Sequence, residues 1–289
     1  MAISAKKTNL TAWRQDGLLA AAKRTGLHIT IPQQPVFSED EIKELMQAPG
    51  IVGQNFKRGH ALAWLGHLHA VKAFLATDLP TALIIEDDLD WDLSLRNQTR
   101  LLAPAVSNFT NAVPSTGPYG LDWDLLWLGH CGDNWQDPTS RTFYADSNVL
   151  TPSLQRGAHH DGFPTSYRVL HTSSFPICSF AYALTRTGAQ RMLNWSTPSL
   201  TPSPVLSSAF DLHLSTGCFN RRIDCVTVNP EIMHHHRQGG GKYSSIDEPG
   251  EGVISEHDYT WNIEWSARCN RDMWRKEELV QCLPGPDDP

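Results

Sequence analysis

Apolar positions along this chain follow two different periods, and the changes between them mark out its elements. Leu10, Trp13, Ala20 and Ala21, with Arg24, share helical spacing, which predicts a helix over 10–24 closed by Gly26 and a short strand at Leu27–Ile31. Ser38 and Glu41 have capping-box spacing for a short helix over 39–47, stopped by Pro49-Gly50. The stripe Leu65, Leu68, Val71, Leu75 predicts a strong helix from Gly59 to Ala76, closed by Asp78-Leu79-Pro80. Immediately afterwards the pattern becomes the continuous apolar run Ala82–Ile85, as expected of a strand buried on both faces. Asp124–Leu128, Phe180–Thr185 and Cys225–Ile232 read as further strands, while Thr187–Leu193 begins a helix and Val205–Ser215 looks helical. A helix running into a strand through a turn of about four residues is half of a βαβ unit, so the expected class is α/β with a mostly parallel central sheet flanked by helices.

The polar stretches complete this division. Residues 103–120 read as a surface insertion, 132–170 as long loops with short strands, and Pro198–Pro204 as a linker. Arg237–Gly252 has the Gly-rich, polar character of a mobile lid or a plain loop, and 283–289 forms a tail. The length of 289 residues allows one large domain or two small ones, and one spanning 1–289 is the expectation.

Charge changes the picture mainly by exclusion. With 24 basic and 31 acidic residues the net charge is −7, and without a basic block nucleic acid is not an expected partner. No apolar run is long enough to span a membrane, and the amino end lacks the apolar core of a signal peptide, so the chain taken literally is cytoplasmic. Two features oppose that. The six cysteines form an even set without a Cys-x-x-Cys pair, and Cys218 and Cys225 are spaced to close a hairpin disulfide. Sequons begin at Asn9, Asn97, Asn108 and Asn194. Both features fit a Golgi or endoplasmic-reticulum lumen, reached if the amino end is truncated, whereas the cysteines alone equally fit buried thiols in a cytosolic protein.

The candidate chemistry lies at Glu86-Asp87-Asp88, where the apolar run 82–85 ends. Open α/β sheets bind ligands outside the carboxyl ends of their strands, and clustered carboxylates there suit Mn²⁺ or Mg²⁺ shared with substrate phosphates. An acidic triplet alone is more often a solvated turn, so its neighbours must decide. Trp64, Trp91 and Trp127 stand beside the motifs, where core packing is the ordinary role and sugar stacking the special one.

Those neighbours carry a resemblance. Gly59-(x)7-His67-Leu68, Ala82–Asp92, Trp123–Cys131, Ala181–Arg191, Phe210–Leu214 and Cys225–Pro230 leading to His236-Arg237 occur in one order over roughly residues 55–270. In these segments the chain resembles glycosyltransferase family 25, the group of lipooligosaccharide and collagen galactosyltransferases, and looks nearest to its fungal members. The resemblance implies a GT-A-like domain and a metal-dependent inverting transfer of a hexose such as galactose. The donor would be a UDP-sugar and the acceptor a hydroxyl of a glycan or glycoprotein. It implies Asp88 as direct metal ligand, Asp87 as partner, Glu86 as a contact to ribose or donor sugar, and His236 as the third metal ligand, with His234 and His235 as polar loop residues. Asp211 becomes the base for the acceptor hydroxyl. Asn9 and Arg14, together with Gly59 and His67, match the donor-binding segments.

The chain departs from the family pattern at Met1–Thr8, which makes a poor strand, and at Gly59-His60-Ala61-Leu62 and Gly66-His67, where the family has Gly-Glu-x-Gly and Ser-His. These departures keep a non-catalytic nucleotide-sugar or glycan binder in play, and the carboxylates alone would also serve a metal-dependent phosphohydrolase.

Overall fold

The computed structural model describes residues 1–4, 11–48, 56–113, 117–135, 137–156, 164–197, 209–240 and 256–285. Among these the strands are β1 (Ala2–Ile3), β2 (Thr81–Glu86), β3 (Leu89–Trp91), β4 (Leu125–Gly129), β5 (Arg141–Ala145), β6 (Tyr167–Thr172), β7 (Ala181–Thr185), β8 (Cys225–Asn229), β9 (Met233–Arg237) and β10 (Tyr259–Thr260). The helices are α1 (Ala12–Thr25), α2 (Glu39–Met46), α3 (Arg58–Leu75), α4 (Leu95–Phe109), α5 (Arg186–Ser196) and α6 (Phe210–Phe219). Seven strands form one sheet in the order β1-β2-β7-β4-β8-β6-β5, and three form a small second sheet, β10-β9-β3.

The architecture is α/β, with a large mixed sheet flanked by helices. In the large sheet β1, β2, β4, β8 and β5 run one way, while β7 and β6 run the other. Five of the seven strands thus share one direction, while only β1–β2 and β4–β8 are parallel pairs because each reversed strand sits between neighbours of opposite sense.

The continuous apolar runs have a direct physical explanation. Ile84, Leu125, Trp127, Tyr182 and Leu184 pack into a core on one face with α2, α3, α5 and α6. Their neighbours in sequence, Ile85, Leu126, Leu128 and Ala181, pack into a second core on the opposite face with α1 and α4. Alternate residues of a strand point to opposite faces, so burial on both removes the polar half of the pattern. Trp64, Trp91 and Trp127 are fully buried, in keeping with their core reading.

Local signals act where they were expected. Gly26 ends α1 in the left-handed conformation at φ 65°, which a glycine adopts without strain. Ser38 Oγ accepts from the Glu41 amide while the Glu41 carboxylate accepts from the Ser38 amide, completing the capping box of α2.

Several expectations need correction. Leu27–Ile31 is not a strand: its alternating Leu27, Ile29 and Ile31 pack on the second core, and the Ala2 amide of β1 donates to Thr30 O at 2.9 Å. Conversely, the amino end does form a strand, short but paired in parallel with β2. The supposed insertion from 103 begins inside α4, which tolerates Pro104 because Leu102, Ala103 and Val106 are buried. Cys225–Ile232 ends its pairing at Asn229, and β9 then returns antiparallel to β3. The linker at Pro198–Pro204 and the stop at Pro49-Gly50 lie outside the described residues, as do 241–252 of the supposed lid and the last four residues of the tail.

All six cysteines are paired, as Cys131–Cys178, Cys218–Cys225 and Cys269–Cys282. The second joins the end of α6 to the start of β8 across the turn that suggested it.

Candidate metal centre

The acidic triplet stands at the corner between the two sheets. Strand β2 ends at Glu86, the chain turns through Asp87 and Asp88, and β3 continues into the small sheet. Strand β9 pairs with β3 so that His235 lies opposite Leu89, and the His236 amide donates to Asp88 O at 2.8 Å. Its approach depends on Gly129 at the end of β4, where an added Cβ would lie 2.8 Å from Met233 O.

This arrangement gathers three donors. His235 Nε2 lies 3.4 Å from Glu86 Oε2 and 3.4 Å from Asp88 Oδ1. One ligand atom from each of Glu86, Asp88 and His235 falls within 4.8 Å of the others. Asp88 is 4% exposed, and its Oδ1 is buried without a hydrogen bond. A buried carboxylate oxygen aimed at an imidazole and a second carboxylate, with no donor of its own, is what a divalent cation would complete. One imidazole among the donors favours Mn²⁺ over Mg²⁺, which prefers oxygen alone.

The other oxygens are held by the chain. Asp88 Oδ2 accepts from Arg14 Nη1 at 2.6 Å, and the same guanidinium reaches Asp87 Oδ1 at 3.3 Å. Asp87 also accepts from Ser4 Oγ at 2.5 Å. Below the turn, buried Arg268 donates to Leu89 O, Asp87 O and Arg14 O, fixing the backbone of the corner. Burial pushes Asp88 up, but the combined attraction of His235, Arg14, Arg237 and Arg268 holds its carboxyl well below the usual range. Asp87 goes the other way, to about 6, because burial and the Asp88 charge outweigh Arg14.

Behind Glu86 lies a buried polar relay. Ser179 Oγ donates to Glu86 Oε1 at 3.3 Å, His67 Nε2 lies 3.8 Å from the same oxygen, and His67 Nδ1 is 2.9 Å from the Tyr182 hydroxyl. Burial drives His67 down to about 4 despite Glu86, so the ring is neutral near pH 7 and serves as a hydrogen-bonding post. Burial raises Glu86, yet its contacts with His235 bring it below the ordinary value.

The residues singled out by sequence fall into three groups. Arg14, His67, Glu86, Asp87 and Asp88 come together at this corner. Within it Glu86 is one of the three converging donors rather than a peripheral contact, whereas Asp87 turns to Ser4 and Arg14. His236 is not at the centre. Its Nδ1 pairs with Thr260 Oγ1 at 3.0 Å, with Asp90 3.7 Å away and Asp258 3.8 Å from Nε2. The pairing with β3 delivers His235 instead, and neither His234 nor His235 is in a loop. Asp211 lies in the first turn of α6, where Oδ2 accepts from the Cys178 amide at 2.8 Å. Gly59 lies in the first turn of α3 and makes no hydrogen bond to the carboxylates among the described residues, while Asn9 falls outside them.

Sequence reasoning missed His235, Ser4, Ser179 and Arg268. Only His235 left a usable signal: three consecutive histidines in a strand must present alternate faces, so a strand reading of 233–237 would have separated 235 from 234 and 236.

No protein-family model matches the chain, and no curated protein matches it. Among the described residues no helix is long and apolar enough to cross a membrane.

Proposed function

We propose that this chain is a metal-dependent inverting glycosyltransferase of GT-A type, moving a hexose such as galactose from a UDP-sugar to a hydroxyl of a glycan or glycoprotein. The observation that carries the reading is the convergence of Glu86, Asp88 and His235 at a strand end, with Asp88 Oδ1 buried and lacking a hydrogen bond. These three residues would hold Mn²⁺, which when bound stabilises the charge of a departing diphosphate by several kcal/mol.

The chain supplies the rest. Arg14 places a fixed positive charge beside the carboxylates and is the natural partner for phosphate oxygens in a bidentate contact. Ser179 and His67 orient Glu86 from behind. Asp211 is the base proposed for the acceptor hydroxyl: Cys178 N–H occupies Oδ2, which fixes the carboxylate and leaves Oδ1 to take a proton.

One observation favours a second reading. Arg14 already neutralises Asp88 Oδ2 at 2.6 Å, an arrangement that also suits a chain binding a nucleotide-sugar without metal or turnover. Titrating UDP into the full chain with and without Mn²⁺, followed by product analysis with a panel of UDP-hexoses, separates the readings. Mn²⁺-dependent binding with sugar transfer is expected. Metal-independent binding without donor turnover would establish the binder, and phosphate release without sugar transfer would establish a phosphohydrolase.

A further inference from the structure

A groove of about 450 Å³ opens between α4 and β5, on the outer edge of the large sheet and apart from the metal centre. Its walls mix apolar and polar surface, with Leu101, Pro104 and Phe109 from the helix and Thr142, Phe143 and Tyr144 from the strand. Phe143 remains 41% exposed, and the Tyr144 hydroxyl is buried without a hydrogen bond.

Asn108 stands on the groove itself, exposed, in the last turn of α4, and it opens the sequon Asn108-Phe109-Thr110. The pairing of all six cysteines places the chain's maturation in an oxidising compartment, where sequons meet the machinery that modifies them. The other described sequons differ. Asn97 is half-buried and accepts from Arg100 at 2.9 Å, while Asn194 is exposed on α5 and does not line this groove.

We propose that Asn108 carries an N-linked glycan whose first sugars lie along the α4–β5 groove, with the apolar face of a sugar on Phe109. The attachment is made by the host's transferase from a lipid-diphosphate-linked oligosaccharide. Asn108 Nδ2 bonds to the anomeric carbon and the anomeric C–O bond breaks. The lipid diphosphate leaves with the electron pair, and the amide proton passes to base. Tethering then holds the sugar at high effective concentration over a groove too weak to retain it free in solution.

The test is to secrete the full chain from a eukaryotic host that adds N-linked glycans and to map the modified asparagines by peptide mass. Asn108 should be occupied. Complete enzymatic deglycosylation, or Asn108→Gln, should lower the thermal midpoint by about 2 °C, whereas trimming to the first sugar should preserve most of it. Thr110→Ser, which keeps the sequon, should behave as the parent. Phe109→Ala, which keeps the sequon, should cost more stability in the glycosylated chain than in the Asn108→Gln background, a coupling that a merely structural phenylalanine would not show. An unmodified Asn108, with or without a glycan on Asn194, overturns the proposal. Occupancy with an unchanged midpoint and no coupling to Phe109 overturns the seating in the groove.

Discussion

Two carboxylate–histidine groups lie within a few residues of each other, along β9, β3 and the turn that leads into β3, and they are built on opposite principles. Asp90 is completely buried and accepts from the Trp91 and Arg268 amides and from the hydroxyls of Thr260 and Ser266, with His236 alongside on the same threonine. Asp88 is nearly as buried, yet one of its oxygens has no hydrogen bond and faces His235 and Glu86. The difference is in supply of donors, since the residue types are the same. Where the chain provides every donor, an Asp–His pair is part of the scaffold; where it withholds one, the pair is poised for a ligand.

The largest effect should come from the saturated group. Asp90→Ala leaves the Thr260, Ser266 and Arg268 donors buried without their acceptor, and should cost about 4 kcal/mol in urea unfolding. Asp88→Ala should cost less, because Oδ1 has no hydrogen bond to lose. A larger loss at Asp88 would reverse the assignment of scaffold and site.

Glu231 sharpens the contrast with a third arrangement. It is 1% exposed, its Oε1 accepts from Asn262 Nδ2 at 2.6 Å, and burial raises its carboxyl to about 7. Because the folded state holds this proton more tightly than the unfolded chain, stability is unaffected below the unfolded value of 4.5 and falls as pH rises from there to about 7. The full cost above that window is about 3 kcal/mol. Glu231→Gln should flatten the dependence and stabilise the protein at pH 8 but not at pH 4, as followed by denaturant midpoints across pH. Equal midpoints for both proteins at pH 8 would show that the fold does not raise the Glu231 carboxyl.

Much of this framework was legible in the sequence. The capping box of α2, Gly26 and the continuous apolar strands all act locally, so a short window contains their cause. The acidic corner was visible for the same reason. The choice of histidine was not: it depends on the register of β9 against β3, two segments about 145 residues apart, and a slip of one residue exchanges His235 for His236. Arg268 was invisible because its role is to serve backbone carbonyls from far along the chain, which leaves no pattern around it. Pro104 misled because a breaker inside an amphipathic helix is outweighed by burial of Leu102 and Val106, a tertiary effect.

Register therefore supplies the next test. His235→Ala should weaken Mn²⁺ binding about 100-fold by calorimetry, close to 2.7 kcal/mol, while His236→Ala should leave it nearly unchanged and lower stability instead. The opposite pattern would restore His236 as the ligand and require β9 to pair with β3 one residue out of its present register.

Arg14 decides how far the two groups really differ. Its guanidinium is 2.6 Å from Asp88 Oδ2, so it repels any cation held by Oδ1 of the same carboxylate while keeping that carboxylate ionised. Like charges a few ångströms apart interact by about 1 to 4 kcal/mol between the dielectric of water and that of a protein surface. Arg14→Gln should consequently tighten Mn²⁺ binding about tenfold, or about 1.4 kcal/mol, at the low end because solvent reaches this corner. UDP affinity should fall in the same variant, since the positive charge facing the phosphates is gone. Weaker Mn²⁺ binding after this substitution would mean that Arg14 holds Asp88 in place as Thr260 and Ser266 hold Asp90. In that case the corner would be a second saturated scaffold, and the metal-free binder would become the better description of the chain.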